Sequence, residues 1–252
     1  MNCSISRAKL FKSCRRAYWF KYCEKLTPVE KAEALETGIN YHELLEWINM
    51  HGSFDGIEED YSKEQAMASA YLKYIYPHFK VVSVEEWKEK PIGSHVLIGR
   101  LDGFSEDGCI VEHKTTSMEI TEQYEYNLLW DEQILAYMYL TGARKIYYTV
   151  CRKPTIRQKK GETDEEFYQR MVEWYDVDTD SKIRLLVIER TDEEVQEFAD
   201  SFKALCDEME STKNFYRCTN HCSAWGRRCE YSSICLNYDP SQQYIEFTKK
   251  ED

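Results

Sequence analysis

Three β-strands between two groups of amphipathic helices constrain the fold of this chain more than any other feature. Residues 80–90, 95–104 and 109–115 have the composition and spacing of strands, and Asp107-Gly108 between the last two is a strong hairpin signal. Apolar residues at helical spacing precede the strands and return after them. This order predicts a mixed α/β protein built around one central sheet.

The remaining elements follow from hydrophobic periodicity and from helix start and stop signals. We predict helices over 5–25, 29–50, 62–76, 120–141, 163–175 and 191–211, and further strands over 145–151 and 183–190. Thr191 and Glu194 fit a capping box at the start of the last helix. Gly142 fits a C-cap. Residues 214–238 are rich in cysteine and predicted to be irregular.

The formal net charge of −12, taken alone, argues against binding to nucleic acid. Two segments are basic nonetheless. Residues 1–26 contain seven Lys or Arg against one Glu, and residues 152–160 contain five. Such segments could hold a phosphate backbone, and solvated surface is the alternative interpretation.

The chain has no apolar run close to the roughly 18 residues that span a bilayer, and its first residues carry charge where a signal peptide has an apolar core. We therefore expect a cytoplasmic protein without a membrane partner. Ten cysteines in a reducing compartment are not expected to form disulfides. A clustered few could bind metal.

The stretch from Asp102 to Lys114 carries the strongest chemical signal. Glu112 and Lys114 lie two residues apart and share one face of a strand. A three-residue loop, 106–108, with Gly108 at positive φ would place Asp102 directly opposite Glu112. Two carboxylates so close favour a divalent cation between them, and oxygen ligands suit Mg²⁺ or Mn²⁺. The alternative interpretation is that these polar residues form the solvent-exposed face of a hairpin and bind no cation.

Asp102 followed by Glu112-x-Lys114 resembles the core motif of the PD-(D/E)XK nuclease superfamily. Gly38-x-x-x-His42 on the preceding helix and Gln133-x-x-x-Tyr137 on the following helix resemble two motifs of its RecB-like branch. Taken singly, His42 could be a core histidine, and Gln133 with Tyr137 an ordinary helix-face pair.

The resemblance implies a role for each matching residue. Asp102, Glu112 and Lys114 would be catalytic. The metal ligands would be His42, Asp102, Glu112 and the backbone carbonyl of His113. Gln133 and Tyr137 would position DNA or the lysine. Gly103 is expected to leave room for the substrate to approach the backbone.

The resemblance also implies the architecture. The fold class is α/β, with a restriction-endonuclease-like mixed sheet flanked by helices and a C-terminal cysteine-rich, cluster-binding segment packed on the N-terminal helix. We expect a single RecB-like nuclease domain over 1–252. Residues 29–211 would form its core, and residues 1–26 with 212–238 an iron–sulfur clasp.

Three cysteines near the C-terminus have the spacing Cys-x6-Cys-x5-Cys, which differs from the paired Cys-x-x-Cys of structural zinc. Three clustered thiolates and one distant thiolate can ligate a 4Fe–4S cluster. CRISPR-associated and AddB-type nucleases have this arrangement, and by resemblance the ligands here are Cys14, Cys222, Cys229 and Cys235. Cys218 could replace Cys222, zinc could replace the cluster, and buried structural cysteines are the remaining alternative.

The resemblance therefore implies a DNA exonuclease that depends on Mg²⁺ or Mn²⁺ and acts in phage or bacterial recombination, repair or replication. Its substrate would be single-stranded or free-ended DNA. A helicase or recombination protein would be a partner, because the chain has no Walker A motif. Alternatives are a CRISPR-associated nuclease that trims DNA for spacer acquisition, a non-catalytic iron–sulfur DNA-binding subunit and a zinc-binding interaction module.

Five basic residues are predicted to contact the DNA: Arg15, Arg16, Arg157, Lys159 and Lys160. The segment 151–163 resembles a stretch of phage-encoded exonucleases, which supports the last three. Tyr18, Trp19 and Phe20 beside Arg15 and Arg16 are expected to stack on single-stranded bases.

Overall fold

The structure is a computed structural model, and it describes residues 1–29, 33–226, 228–236 and 247–249. Within those ranges the side chains of 33–35 and 225 are not described. Residues 30–32 of the helix predicted over 29–50, and residues 237 and 238 of the predicted clasp, lie outside the described residues.

The described part of the chain contains eight strands and ten α-helices. The strands are β1 (Asn2–Cys3), β2 (Leu26–Pro28), β3 (Val81–Ile92), β4 (His95–Ser105), β5 (Ile110–Thr116), β6 (Lys145–Arg152), β7 (Ile183–Glu189) and β8 (Phe247–Lys249). The α-helices are α1 (Ile5–Ser13), α2 (Arg15–Tyr18), α3 (Glu33–His51), α4 (Lys63–Tyr74), α5 (Glu122–Leu128), α6 (Glu132–Thr141), α7 (Asp164–Asp176), α8 (Asp192–Ser211), α9 (Thr219–Cys222) and α10 (Ser232–Leu236). A π-helix covers Trp19–Cys23, and 3₁₀ turns cover Tyr76–His78, Thr179–Ser181 and Ala224–Gly226.

The main sheet has the strand order β1-β4-β5-β6-β7, with β3 paired to β4. Strands β4 and β5 are antiparallel, β5 and β6 parallel, and β6 and β7 antiparallel. The parallel pair needs a crossover, which α5 and α6 provide. The predicted mixed sheet flanked by helices is confirmed.

The chain divides into two compact units. The first comprises Met1–Ala32, Lys90–Ile98 and Ala199–Asp252, and the second comprises Glu33–Glu89 and Gly99–Phe198. The sequence-based division into a core and a clasp stays a prediction.

The second unit has a buried core between α3, α4, α7 and the strands β6 and β7. Large side chains fill it, and they include Tyr41, Leu45, Ile48, Met67, Tyr71, Tyr175 and Ile183. Local signals fix the helix ends. Thr163 and Glu166 form a capping box at the start of α7, and Gly142 ends α6 at φ 83°.

The first unit has a smaller core that brings the N-terminal helices and the cysteine-rich segment together. Cys14, Phe20, Tyr231 and Ile234 are buried in one cluster, and Cys218, Cys229 and Cys235 pack against it. The rings of Phe20 and Tyr231 stack at 5.6 Å between their centroids.

Two of the predicted helices are wrong in extent. Cys14 has extended backbone angles (φ −159°, ψ 112°), and it divides the helix predicted over 5–25. Asp131 divides the helix predicted over 120–141, because its carboxylate accepts a hydrogen bond from the Gln133 N–H and caps a new helix. Strands β1, β2 and β8 were not predicted, since two or three residues show no periodicity. The capping box at Thr191 and Glu194 is confirmed.

Within the described residues, no helix combines the length and apolar character that crossing a membrane requires.

Candidate active site

The hairpin of β4 and β5 positions the predicted catalytic residues. Gly103 pairs with Val111, and extending this register by one residue sets Asp102 opposite Glu112. Gly108 closes the predicted three-residue loop at φ 79°, and its N–H donates to the Ser105 carbonyl. The Asp102 Oδ2 accepts a hydrogen bond of 2.7 Å from the backbone N–H of His113.

Glu112 is the most deeply buried acid of the hairpin. Its side chain is 2% exposed. One carboxylate oxygen, Oε1, contacts the Lys114 ammonium and accepts a 3.0 Å hydrogen bond from the Gln133 amide. The other, Oε2, is buried without a protein partner. Burial and the nearby Asp102 charge raise the pKa of Glu112, and the Lys114 charge opposes the rise without cancelling it.

Lys114 stays protonated near neutral pH. Burial alone would lower its pKa, but the charges of Glu112 and Asp102 outweigh burial and raise the pKa above its ordinary value. The lysine is therefore a hydrogen-bond donor and a positive charge, and it is poorly suited to act as a general base.

His42, Glu85 and Asp102 converge from helix α3 and strands β3 and β4. One potential ligand atom from each lies within 4.8 Å of the others, and His42 Nδ1 is 3.4 Å from Asp102 Oδ1. Burial would lower the pKa of His42, but its hydrogen bond to Asp102 and the charge of Asp102 raise it overall. Burial opposes ionisation of Asp102, yet His42, His113 and Lys114 lower its pKa. A nitrogen and two carboxylates form a donor set that suits a divalent cation.

Glu85 was missed by the sequence analysis. It lies in β3 at a positive φ of 55°, which no sequence pattern indicates for a glutamate. Burial raises its pKa, and Arg100, whose guanidinium contacts its carboxylate, partly offsets this. The only available signal was the acidic pair Glu85-Glu86 in a strand next to that of Asp102.

Gly103 does not serve the predicted purpose. A Cβ at this position would lie 2.3 Å from the carbonyl oxygen of Ser83. Glycine is therefore required for the close approach of β3 to β4, and the expectation that it makes room for substrate is wrong.

The His113 side chain points away from the carboxylates, as strand alternation requires. Its Nδ1 lies 2.6 Å from the Thr149 hydroxyl, and its Nε2 lies 3.4 Å from the Asn49 amide, which Tyr71 also contacts. Burial lowers the pKa of His113 to about 4, so the ring is neutral. Metal binding by its backbone carbonyl stays a prediction.

Gln133 and Tyr137 reach the hairpin from α6. Gln133 donates to Glu112 and, at 2.7 Å, to the Tyr137 hydroxyl. That hydroxyl donates at 2.7 Å to the Arg100 carbonyl. Both residues therefore hold Glu112 and its neighbouring strand in place, and their positioning of the lysine stays a prediction. A contact with DNA stays a prediction.

The basic segment 152–160 leaves the sheet where β5 and β6 end. Thr116 pairs with Arg152, and the Thr116 carbonyl accepts a 2.8 Å hydrogen bond from the Lys153 N–H. Arg157, Lys159 and Lys160 are exposed beyond this point, within eight residues of the end of β6, which pairs with the strand that carries Lys114.

The N-terminal basic residues are less available than predicted. Arg15 forms a 2.7 Å ion pair with Glu208, and the Arg16 guanidinium lies over the ring of Trp19. Tyr18 and Phe20 are buried in the core, so the expectation that they stack on bases is wrong. The spacing of residues along the segment could not indicate this burial. The same alternation of basic and aromatic residues is compatible with a solvent-exposed helix and with a buried one.

Four cysteines of the first unit line one cavity of about 130 Å³. Cys14, Cys222, Cys229 and Cys235 all line it, together with Arg217 and Arg228 among other residues. Cys218 is adjacent, and its N–H lies 3.4 Å from the Cys14 sulfur. Within the described chain, no three thiol sulfurs lie within 4.8 Å of one another.

We predict that Glu85→Gln weakens Mn²⁺ binding, because it replaces the carboxylate of one of the three donors of the trio with a neutral and weaker amide oxygen. The expected loss is at least about tenfold, the smaller end of the effect of outer-sphere substitutions at metal sites. Isothermal titration calorimetry with Mn²⁺ measures it. The control is Glu86→Gln on the same strand, whose carboxylate pairs with Lys88. Equal affinities of the two variants would exclude Glu85 from the site.

Comparison with known proteins agrees with this geometry. The profile of the PD-(D/E)XK nuclease superfamily matches residues 2–236. No curated protein sequence matches the chain.

Similar solved structures include a protein named "Putative exonuclease" from Eubacterium rectale, at 12% identity and a TM-score of 0.55, covering 93% of this chain and 92% of that one. SSO0001 is similar at 16% identity and a TM-score of 0.47, and the match covers 93% of this chain and 85% of that one. A phage related exonuclease from Haemophilus somnus 129PT is similar at 13% identity and a TM-score of 0.41, and the match covers 81% of this chain and 92% of that one. The match with the Eubacterium rectale structure shows a shared fold.

The family profile covers nearly the whole chain, and the fold is that expected of a restriction-endonuclease-like protein. This chain belongs to the PD-(D/E)XK nuclease superfamily.

Proposed function

We propose that the protein is a metal-dependent DNA exonuclease of the RecB-like branch. The observation that carries this proposal is the convergence of Asp102, Glu112 and Lys114 on one hairpin, with a buried Glu112 oxygen that has no protein partner. A buried carboxylate oxygen without a partner is costly, and a cation would satisfy it.

The residues present fit a divalent cation. Asp102 and Glu112 would hold it, and His42 and Glu85 extend the donor set on the other side of Asp102. Oxygen donors suit Mg²⁺, and the imidazole nitrogen adds a preference for a transition metal such as Mn²⁺.

The protein groups divide the work of phosphodiester hydrolysis. A bound divalent cation would acidify a water molecule and neutralise charge on the phosphate. Lys114 donates hydrogen bonds and stabilises negative charge that develops at the phosphorus. Gln133 holds Glu112 at fixed distance, and Tyr137 holds Gln133, so that the carboxylate does not rotate away when it is ionised.

A 4Fe–4S cluster is the cofactor that the cysteine cavity fits best. Cys14, Cys222, Cys229 and Cys235 would hold it, because these four line the cavity whereas Cys218 does not. Zinc bonds of about 2.3 Å would draw the sulfurs to within about 4 Å of one another. Among the described residues no three thiol sulfurs lie within 4.8 Å of one another, and we propose the larger group because the cysteine pattern resembles that of iron–sulfur nucleases. The cluster would supply structural cross-linking between distant parts of the chain.

The exonuclease assignment goes beyond the fold. The similar structure from Eubacterium rectale is named an exonuclease, and the motif set resembles RecB-like members. We expect a substrate with a free end, and a role in DNA recombination, repair or replication.

Digestion of end-labelled DNA tests the proposal. Linear single-stranded and double-stranded substrates should be degraded from an end in Mg²⁺ or Mn²⁺ and not in EDTA, and circular single-stranded DNA should resist. Cleavage of the circle would replace an exonuclease with an endonuclease. Binding without cleavage in every metal would favour a non-catalytic subunit.

We predict that DNA affinity depends on the basic loop. Changing Arg157, Lys159 and Lys160 together to Gln should weaken binding and flatten the salt dependence by roughly one unit of slope for each phosphate that the loop no longer neutralises. Fluorescence anisotropy over a salt series measures this. The control is Lys73→Gln with Lys203→Gln, since Asp176 and Asp207 already pair with these exposed lysines. An unchanged slope in the triple variant would contradict the prediction.

A further inference from the structure

Strand β7 leaves one edge of the sheet without a paired strand. It stands at the end of the strand order, and its residues pair with β6 over their whole length. In the part of the chain that the structure describes, no strand pairs with its outer edge. Such an edge presents N–H and C=O groups that can accept a further strand.

A groove of about 440 Å³ follows this edge. Five consecutive residues, 186–190, line one wall. Because successive side chains point to opposite faces of a sheet, a cavity that touches all five runs along the strand edge and not over one face. The other wall is α5 with the residue that follows it, and it contributes Glu122, Glu125, Tyr126, Leu128 and Leu129.

The two walls are tied together at both ends of the strand. Arg184 near the start of β7 pairs with Glu125 of α5. Arg190 just after β7 donates a 3.1 Å hydrogen bond to the Leu128 carbonyl. The groove is therefore formed in the free protein, which lowers the ordering cost for an occupant.

The groove combines apolar surface with negative charge. Tyr126, Leu129 and Val187 are 54%, 51% and 52% exposed, which is unusual for side chains of this size. Its lining includes Glu122, Glu125 and Glu189 against Arg190; because Arg184 already pairs with Glu125 and Arg190 lies 3.8 Å from Glu194, Glu122 and Glu189 provide the negative charge that an occupant meets. This charge disfavours a phosphate backbone. It equally disfavours a second copy of the chain paired edge to edge, because each copy would present the same carboxylates.

We propose that this groove binds an extended segment of a partner protein in which pairs of apolar residues alternate with pairs of basic residues. The segment adds a strand to the edge of β7. Tyr148 of β6 pairs with Leu186 and its hydroxyl meets that of Tyr124 in α5, so Leu186 and Ile188 face α5 while Val187 and Glu189 share the opposite face. The paired pattern places an apolar and a basic side chain on each face, where they meet Tyr126, Leu129 and Glu122 on one side and Val187 and Glu189 on the other. Five residues of strand span about 17 Å, so a segment of five to seven residues fills the groove. The proposal does not depend on the nuclease activity.

The test uses a defined probe, a fluorescein-labelled, capped heptapeptide of the sequence Val-Val-Lys-Lys-Val-Val-Lys, which carries both Val and Lys on each face of the strand. Fluorescence anisotropy with the full-length protein should show saturable binding. The same peptide with Glu in place of Lys should not bind. The same peptide N-methylated at every residue keeps the charge and the side chains but has no N–H donor on either edge, and its affinity should fall at least tenfold.

Surface variants locate the site. Leu129→Ser removes an apolar contact and Glu189→Lys reverses a charge, and each should weaken binding roughly five- to tenfold. Val177→Ser and Glu173→Lys are matched controls outside the groove, because Val177 is 69% exposed and Glu173 lies on the solvent side of α7. Both controls should bind the peptide like the wild type.

Four results would overturn the proposal. They are undiminished binding of the N-methylated peptide, equal losses in the control variants, weaker DNA binding by the groove variants, and a change in their oligomeric state in sedimentation. The third would make the groove a DNA contact, and the fourth a contact between copies. Nuclease activity of Leu129→Ser should remain that of the wild type, which separates failure of this proposal from failure of the proposed function.

Discussion

Replacing Glu112 with Gln is expected to abolish DNA cleavage and to stabilise the metal-free protein. The change removes one charged ligand, and the loss of activity should exceed the 10–100-fold effects of residues that only support metal ligands. The amide keeps the shape of the side chain, its oxygen can accept from Lys114 and Gln133, and its NH₂ group can face Asp102. The substitution therefore removes repulsion between two carboxylates without creating a cavity.

The gain in stability should depend on pH in a definite direction. Burial raises the pKa of Glu112 from 4.5 to about 8. The stability contributed by an acid with a raised pKa is fully present below its unfolded value and is lost as the pH rises towards its folded value. The unfolding temperature of Glu112→Gln relative to wild type should therefore increase between pH 4.5 and 8 in EDTA.

The comparison with wild type is necessary because His113 makes the stability of the protein change with pH in the opposite direction. Burial lowers the pKa of His113 to about 4, so that histidine costs stability as the pH falls below its unfolded value of 6.5. Both proteins share this effect, so it cancels in the difference between them, which reports the loss of the Glu112 charge together with its coupling to Lys114 and Asp102. Glu173→Gln, which changes an exposed glutamate, is the control and should show no pH-dependent gain.

Added Mn²⁺ should reverse the order of stability. A ligand that binds only the folded state raises its stability in proportion to the logarithm of its concentration over Kd. The unfolding temperature of the wild type should rise with Mn²⁺, and that of Glu112→Gln should rise much less. Differential scanning fluorimetry measures both. Near-wild-type cleavage by the variant in Mg²⁺ would end the assignment of the site.

Replacing Cys14 is expected to have the same effect as replacing Cys235, although the two are far apart in sequence. If both hold one cluster, either Ala variant should lose the brown colour and the absorbance near 400 nm that the family resemblance implies. A cross-link over so long a loop is worth on the order of 4–5 kcal/mol by analogy with a disulfide. The thermal midpoint should fall, and protease should cut residues 214–236.

The neighbouring cysteines provide the controls. Cys3→Ala and Cys109→Ala change buried thiols outside the cavity and should keep the colour. Cys222→Ala should lose it and Cys218→Ala should keep it, since only Cys222 of the two lines the cavity. Iron and zinc analysis of the purified protein separates the two cofactors, and a colourless, zinc-loaded wild type would exclude the cluster.

The hairpin with Asp102, Glu112 and Lys114 was predictable because its determinants are local. Strand alternation and a glycine at positive φ decide which side chains share a face, and both are visible in sequence. The same holds for Gln133 and Tyr137, which are one helical turn apart.

The role of Glu85 and the burial of Tyr18 and Phe20 were not predictable, because they depend on contacts between segments that are distant in sequence. Glu85 reaches Asp102 only because β3 pairs closely with β4 at Gly103, a contact between segments about 20 residues apart. Phe20 is buried against Tyr231, which lies 211 positions away (231 less 20), and Tyr18 stacks on Phe215, which is also distant in sequence. Helical periodicity in the N-terminal segment carries no information about which face those distant residues cover.

The cysteine cavity also imposes an order of events during synthesis. Cys14 and Cys235 are 221 positions apart (235 less 14). At about 5–20 residues per second, a ribosome that has made Cys14 needs roughly 10–45 s more to deliver Cys235. The hairpin of β4 and β5 is complete long before that. During this time Cys14 is present on the nascent chain without Cys235. Any group that the four cysteines share can therefore bind to all of them only in the last stage of translation or later.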